Sequence, residues 1–280
     1  MTEEKQRREV REGYAKIAVN QSSCCDSSTS CEDSRKMEYC EEDLETVPEG
    51  ANMGLGCGNP VALTSLEEGE IVVDLGSGGG FDCFLAAKKV GQRGKVIGVD
   101  MTAEMIDKAR ENARKGKYTN VEFRLGEIEN LPVADNTADV VISNCVINLT
   151  PNKEKAFKEA FRVLKSGGRL MISDLVLLKE LPETMKKEMD STNCVTGAIL
   201  KDKYIETIKT VGFKNVKIAQ EKQYCSEDFA SNPDAEVLAF NPKTNVTETK
   251  KVSELDEKAK QRLNETLETV LSISVSAIKP

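Results

Sequence analysis

Residues Ile71–Cys83, IVVDLGSGGGFDC, join a β-branched run to an acidic residue and a cluster of glycines. Ile71, Val72 and Val73 are the composition of a strand buried on both faces of a parallel sheet. Asp74 is expected to end that strand. Gly76, Gly78 and Gly80 then permit a tight turn and a close backbone approach to a ligand. Phe81–Val90 (FDCFLAAKKV) continues with helical composition. Strand, glycine turn and helix together predict a nucleotide-type pocket beyond the C-terminal edge of a parallel sheet. A dinucleotide fingerprint, G-x-G-x-x-G, would require glycine where Phe81 stands. Here the spacing is G-x-G-x-G behind an acid.

Working outward, the pattern alternates. Lys95–Asp100 is a second strand, and 103–115 a helix with Thr102 at its N-cap position and Glu104 in its first turn. Val121–Leu125 is the third strand and Asp139–Ser143 the fourth. Lys153–Leu164 is a helix stopped by Gly167 and Gly168. Strands follow at Arg169–Asp174 and Val216–Ala219. Strands separated by single helices predict βαβ units. At the end, Leu271, Ile273, Val275 and Ala277 alternate with Ser272, Ser274 and Ser276, the period of a strand. This is a seventh strand returning to the sheet. The expected architecture is α/β and Rossmann-like: a seven-stranded, mostly parallel sheet with helices on both faces. Residues 1–60 supply an N-terminal helix and cysteine-bearing loops that cap the site, with Val10, Tyr14, Ile17 and Ala18 as one apolar stripe. Residues 61–220 form the cofactor domain. Residues 221–268 form an insertion lobe, with Leu255, Ala259, Leu263 and Leu267 on one face of an amphipathic helix. Residues 269–280 hold the returning strand.

Composition removes several classes of function. Net charge is −8 with no long basic run, which argues against nucleic acid or an anionic membrane as the main partner. No apolar run reaches spanning length, and MTEEKQRREV does not read as a secretory signal, so the cytoplasm is the expected compartment. Histidine is absent, which excludes any mechanism with a histidine base or ligand. Nine cysteines without a secretory signal suggest reduced thiols, and hence metal, metalloid or redox chemistry.

The acid-led G-x-G-x-G turn resembles the first motif of the class I S-adenosylmethionine methyltransferases, which implies S-adenosylmethionine as cofactor. The residues at the sheet's C-terminal edge suit it: Asp74, Gly76, Ser77, Gly78, Gly80, Asp100, Met101, Glu127, Ile128 and Asn144. Asp100 can accept both ribose hydroxyl protons, Met101 can lie on the adenine face, and Glu127 can accept from the adenine amino group. Asp74 either orients the glycine turn or accepts from the cofactor's ammonium group.

Three cysteines fall at matching places. Cys57 lies in a glycine loop before the first strand, Cys145 at the tip of the fourth, and Cys194 at a break after the fifth. Three soft thiolates there can converge on a thiophilic centre. Cys83, on the helix after the glycine turn, reads as a small buried apolar residue. LGCGNP (55–60), DLGSGGGFDCFLAAKKVG (74–91), VIGVDMT (96–102), VEFRLGEIENLPV (121–133), SNCVINL (143–149) and CVTGA (194–198) are similar to the arsenite S-adenosylmethionine methyltransferases. The resemblance implies that Cys57, Cys145 and Cys194 bind trivalent arsenic, and that one further N-terminal cysteine assists. Cys31 is the first choice for that role, with Cys24 and Cys25 as alternatives. It also implies an arsenical substrate, arsenic detoxification, and a thiol reductant of the thioredoxin or glutathione type. Two other readings remain: a methyltransferase acting on carbon or oxygen of a small metabolite, and a thiolate metal-binding protein with a vestigial cofactor pocket.

Overall fold

The computed structural model describes residues 2–20, 47–48, 50–53, 65–181, 194–223, 236–241, 246–251, 254, 257, 261 and 268–280. Helix α1 spans Glu3–Asn20. Strand β1 (Ile71–Leu75) leads into α2 (Phe81–Val90), β2 (Lys95–Asp100), α3 (Ala103–Lys115) and β3 (Val121–Leu125). Then come β4 (Ala138–Asn144), a 3-10 turn (Ile147–Leu149), α4 (Lys153–Val163), β5 (Leu164–Leu177), α5 (Lys201–Val211) and β6 (Lys214–Gln223). The chain closes with β7 (Glu236–Asn241), β8 (Val246–Lys251) and β9 (Val270–Ile278).

Among the described residues seven strands form one sheet in the order β3-β2-β1-β4-β5-β9-β6. The pairs β1–β2, β1–β4, β2–β3 and β4–β5 are parallel, and β9 is antiparallel to both β5 and β6. The order reverses between β1 and β4, which places the ligand crevice outside their C-terminal ends. The sheet is covered on both faces. One core joins Val73, Leu75, Ile97 and Val141 to Phe157 and Ala160 of α4 and to Tyr204 and Ile208 of α5. The other joins Val72, Val96, Val140 and Ile142 to Phe84 and Ala87 of α2 and to Ile106 and Ala109 of α3. The alternation within each strand assigns these residues to opposite faces. Helix α4 starts where the Asn152 side chain accepts from Lys155 N–H at 3.0 Å, and it turns Ala156, Phe157, Ala160 and Val163 inward.

Several boundaries differ from the sequence reading. Asp74 lies inside β1, not at its end, because Leu75 still pairs with Val99. Strand β5 runs from Leu164 to Leu177, past the expected Arg169–Asp174 at both ends. Its register jumps from Ala138↔Leu164 to Val140↔Arg169, so the glycines at 167 and 168 form an irregularity within the strand. Strand β6 runs on to Gln223, where Gln223 pairs with Leu271, past the expected boundary at 220. Thr102 precedes α3 but makes no side-chain cap; Asp100 Oδ1 accepts from its N–H at 2.8 Å. Strands β7 and β8 pair antiparallel as a separate two-stranded sheet, which the sequence reading did not anticipate. Leu255, Ala259, Leu263 and Leu267 lie outside the described residues. No helix among the described residues is long and apolar enough to cross a membrane.

Candidate active site

The glycine turn after β1 is held by its own amides. Gly76 N–H and Ser77 N–H both donate to the Val99 carbonyl, at 2.7 and 3.0 Å. Gly78 N–H donates to Asp100 Oδ2 at 2.9 Å, and Gly80 N–H to the Ser77 carbonyl at 2.8 Å. These donors are committed within the protein, so the turn is not an anion-binding nest of the phosphate type. Gly76 has φ 72°, and a β-carbon there would lie 2.4 Å from Val146 Cγ2, so only glycine fits.

Above the turn a cavity opens to solvent, with ≈ 1090 Å³ of empty space when its open mouth is included. Four carboxylates line it: Asp74, Asp82, Asp100 and Glu129. Burial, then the charges of Asp82 and Asp100, hold the Asp74 carboxyl well above the usual range, although the Cys83 thiol donates to Asp74 Oδ2 at 3.1 Å and opposes the rise. A cationic ligand would relieve that repulsion. Ser77 Oγ is buried in the cavity wall with no hydrogen-bond partner, a group left for a ligand to satisfy. Asp100 accepts from Gly78 N–H at 2.9 Å and Thr102 N–H at 2.8 Å, and the Thr102 hydroxyl and Met101 N–H also bond to its carboxylate. Asn144 Nδ2 donates to Asp82 Oδ2 at 3.2 Å.

Of the cofactor residues expected from the sequence, Asp74, Gly76, Ser77, Gly78, Asp100, Met101, Ile128 and Asn144 border this cavity. Gly80 and Glu127 do not. Gly80 sits beneath the start of α2, where a β-carbon would meet Phe123 and Phe84. Glu127 ion-pairs with Arg7 Nε at 3.5 Å, and Glu129 takes the place on the cavity wall, 3.2 Å from the same nitrogen. Sequence reasoning also missed Arg7, Tyr14 and Asp82. Arg7, Val10 and Tyr14 stand at i, i+3 and i+7 of α1 and all face the cavity. A polar residue continuing an apolar stripe was the available signal. Cys83 is more than an apolar filler, since its thiol binds Asp74.

At the mouth, β4 ends and Cys145 adopts φ 58°, a left-handed backbone that costs a side chain other than glycine or asparagine roughly 1–2 kcal/mol. Cys194 opens a turn at 194–197, and its Sγ donates to the Cys145 carbonyl at 3.2 Å. The Cys145 side chain and burial hold the Cys194 thiol well above its ordinary range. The two thiols share an apolar pocket with Leu175, Leu177 and Ala198. Gly197 makes this possible: a β-carbon there would lie 1.9 Å from the Asn148 carbonyl oxygen. Cys145 and Cys194 are thus brought together; Cys57 and Cys31 lie outside the described residues.

This strand order, with a glycine turn and an acid-lined cavity at the switch point, is the class I methyltransferase fold. The chain belongs to the methyltransferase domain family, which matches residues 66–222. It is 47% identical over 248 residues to the arsenite methyltransferase of Halobacterium salinarum, an alignment covering 83% of this chain and 63% of that protein. It is 35% identical over 230 residues to the arsenite methyltransferase of Aquipseudomonas alcaligenes, covering 79% and 66% respectively. Among solved structures it resembles an arsenic(III) S-adenosylmethionine methyltransferase from Chlamydomonas reinhardtii, with TM-score 0.62, 29% identity and coverage of 88% of this chain and 73% of that one. The chain therefore spans 63–66% of the length of these two curated relatives.

Proposed function

We propose that this chain methylates trivalent arsenic held by cysteine thiolates, with S-adenosylmethionine as methyl donor, in arsenic detoxification. The observation that carries the reading is the convergence of Cys145 and Cys194 at the mouth of the cation-favouring cavity. The cofactor suits the residues present. Asp74 and Asp82 offer negative charge to its ammonium and sulfonium groups, Asp100 can take the ribose hydroxyls, Met101 and Ile128 flank the adenine, and Ser77 Oγ gains a partner. When bound, the cofactor supplies an electrophilic methyl group on sulfur.

The protein's own contribution is binding, positioning and exclusion of water. Arsenous acid is neutral, and Cys194 is held as a thiol. Each exchange therefore forms one As–S bond, breaks one As–O bond and releases one water, the thiol proton leaving with the hydroxide. Thiolate-bound arsenic keeps a lone pair, so attack on the methyl group requires no base, which agrees with a chain that has no histidine. Alignment of that lone pair in an apolar pocket is the main source of rate. Methylation formally oxidises arsenic from three to five. Two thiols closing to a disulfide return two electrons, and a thioredoxin- or glutathione-type thiol reopens the disulfide. Cys57 would complete the arsenic ligands, with Cys31, Cys24 or Cys25 as carrier or redox partner. A reducing compartment such as the cytoplasm suits these thiols.

The test is S-adenosylhomocysteine formation with and without arsenite. Turnover should depend on arsenite, and Cys145→Ser and Cys194→Ser should each lower it by about a hundredfold or more. Arsenite-independent turnover that survives both substitutions would assign the chain to small-metabolite methylation. Tight zinc with no cofactor binding would make it a metal-binding protein.

A further inference from the structure

Cys83 is fully buried on α2 and, unlike Cys145, stands behind the cavity wall and not on it. Its sulfur has one polar partner in an otherwise apolar setting. Sγ donates to Asp74 Oδ2 at 3.1 Å, within the core that also holds Phe84, Ala87, Val96 and Phe123. Asp74 does border the cavity, and this thiol is the donor that reaches its carboxyl among the described residues. The contact is built by neighbouring elements. Asp74 alternates with Val73 and Leu75, so it shares the α2 face of β1 with Val72. Cys83 stands in the first turn of α2. In register with Asp74 on β2 is Gly98, where a β-carbon would lie 2.8 Å from Cys83 Sγ and 2.7 Å from Phe123 Cδ1. A glycine inside a strand weakens it, and here it leaves the room in which the thiol meets the carboxyl.

We propose that Cys83 is a positioning residue for cofactor binding: its thiol, donating to Asp74 Oδ2, holds that carboxylate on the cavity wall as the seat of the cofactor's ammonium group. The assignment rests on the reading of this cavity as the S-adenosylmethionine site. The glycine turn cannot do this work, because the Gly76 and Ser77 amides go to the Val99 carbonyl and the Gly78 amide to Asp100. A thiol suits the place. A lysine or arginine would cancel the charge that a cationic ligand needs, whereas a neutral donor fixes the carboxylate and leaves its charge. Burial and the charges of Asp82 and Asp100 drive the Asp74 carboxyl toward its neutral form, and the thiol bond opposes them. Burial and the charge of Asp74 keep the thiol protonated in turn, and so a donor. Cys83 thus serves the cofactor and stands apart from the arsenic chemistry of the mouth.

The experiment titrates S-adenosylmethionine, S-adenosylhomocysteine and 5′-methylthioadenosine into the full chain by calorimetry. S-adenosylhomocysteine keeps the ammonium and lacks the sulfonium charge; methylthioadenosine keeps the nucleoside and its sulfur and lacks the ammonium. Cys83→Ala removes the donor, Cys83→Val removes it while staying close to cysteine in volume, and Cys83→Ser keeps a donor. Alanine and valine should each weaken the two ammonium-bearing ligands by about tenfold or more and leave methylthioadenosine within about twofold of the parent. Serine should recover most of the loss. In an Asp74→Asn background, Cys83→Ala should add less than about twofold, because the donor acts only through the carboxylate. Equal losses for all three ligands would reduce Cys83 to packing and overturn the assignment. Unaltered binding in both donor-less variants would overturn it, as would a full further loss in the Asp74→Asn background. A loss confined to S-adenosylmethionine would set Asp74 against the sulfonium and overturn the ammonium assignment. A parent that binds none of the three ligands would sink the cofactor reading itself, a result distinct from a parent that binds them and variants that bind them equally well.

Discussion

Asp174 is fully buried within β5, three residues before its end. Its Oδ1 accepts from Asn148 Nδ2 at 2.8 Å and from Leu175 N–H at 2.9 Å, and its Oδ2 from the Tyr204 hydroxyl at 3.0 Å. Burial outweighs these donors and the Lys153 charge, and the carboxyl is pushed up to about 7 from 3.8. Between those values the folded state keeps a proton that the unfolded state has released. Stability from this group therefore falls as pH rises through that window and levels off above it. Asp174→Asn cannot ionise and can still accept from Asn148 and Leu175. The expected outcome is a melting-temperature difference, variant minus parent, that becomes more positive from pH 5 to pH 8. At about 1.4 kcal/mol for each pH unit crossed the change should reach several degrees. An equal difference at both pH values would mean that the carboxyl ionises near its ordinary value in the fold.

Among the elements, the turn at 194–197 contributes most to the thiol pair with the fewest residues. It is anchored where Leu200 bridges Leu177 in parallel and where Leu177 N–H donates to the Ile199 carbonyl at 2.9 Å. Gly197 lets it lie against the Asn148 backbone, and Asn148 in turn is tied to Asp174. Gly197→Ala forces that turn away from a backbone atom that cannot yield, a strain of roughly 1–3 kcal/mol. It should weaken arsenite binding by about tenfold or more and leave S-adenosylmethionine affinity unchanged, because the glycine turn after β1 is untouched. Titration of both ligands decides it; parallel losses would mean that the whole mouth has moved. The α1 helix shows the opposite case, an element that turns two polar residues, Arg7 and Tyr14, toward the cavity. Its stripe of Val10, Tyr14, Ile17 and Ala18 was legible from spacing, and Val10 and Ala18 are buried as expected. That the same stripe would border a cavity shared with Cys145 was not legible, since no local pattern encodes a neighbour so remote in the chain.

For the whole molecule, the seven-stranded sheet closes without residues 224–267. Gln223 pairs with Leu271, its Nε2 donates to the Glu268 carbonyl at 3.0 Å, and Leu178 N–H donates to the Thr269 carbonyl at 2.8 Å. Replacing 224–267 by an Asn-Gly pair leaves a short hairpin loop between paired strands, an ordinary connection. The shortened chain should melt cooperatively, within several degrees of the parent, and retain S-adenosylmethionine binding by calorimetry. Failure to fold would make the 221–268 segment part of the core and not a lobe added to it.

What the amino-acid sequence determined by itself is local and periodic. The β-branched run at Ile71–Val73, the glycines at 76–80 and the acids at strand ends establish a parallel sheet with a ligand crevice, since each depends on side-chain alternation and backbone freedom within a few residues. The alternation at 271–277 establishes the returning strand for the same reason. What only the tertiary structure decided is which remote groups meet: Cys83 with Asp74, Glu129 in place of Glu127 at the cavity wall, and Cys194 with Cys145. Those meetings depend on the sum of strand register, turn geometry and helix seating over more than a hundred residues. A shift of one residue in any of them would change the partner without changing the pattern from which the sheet was read.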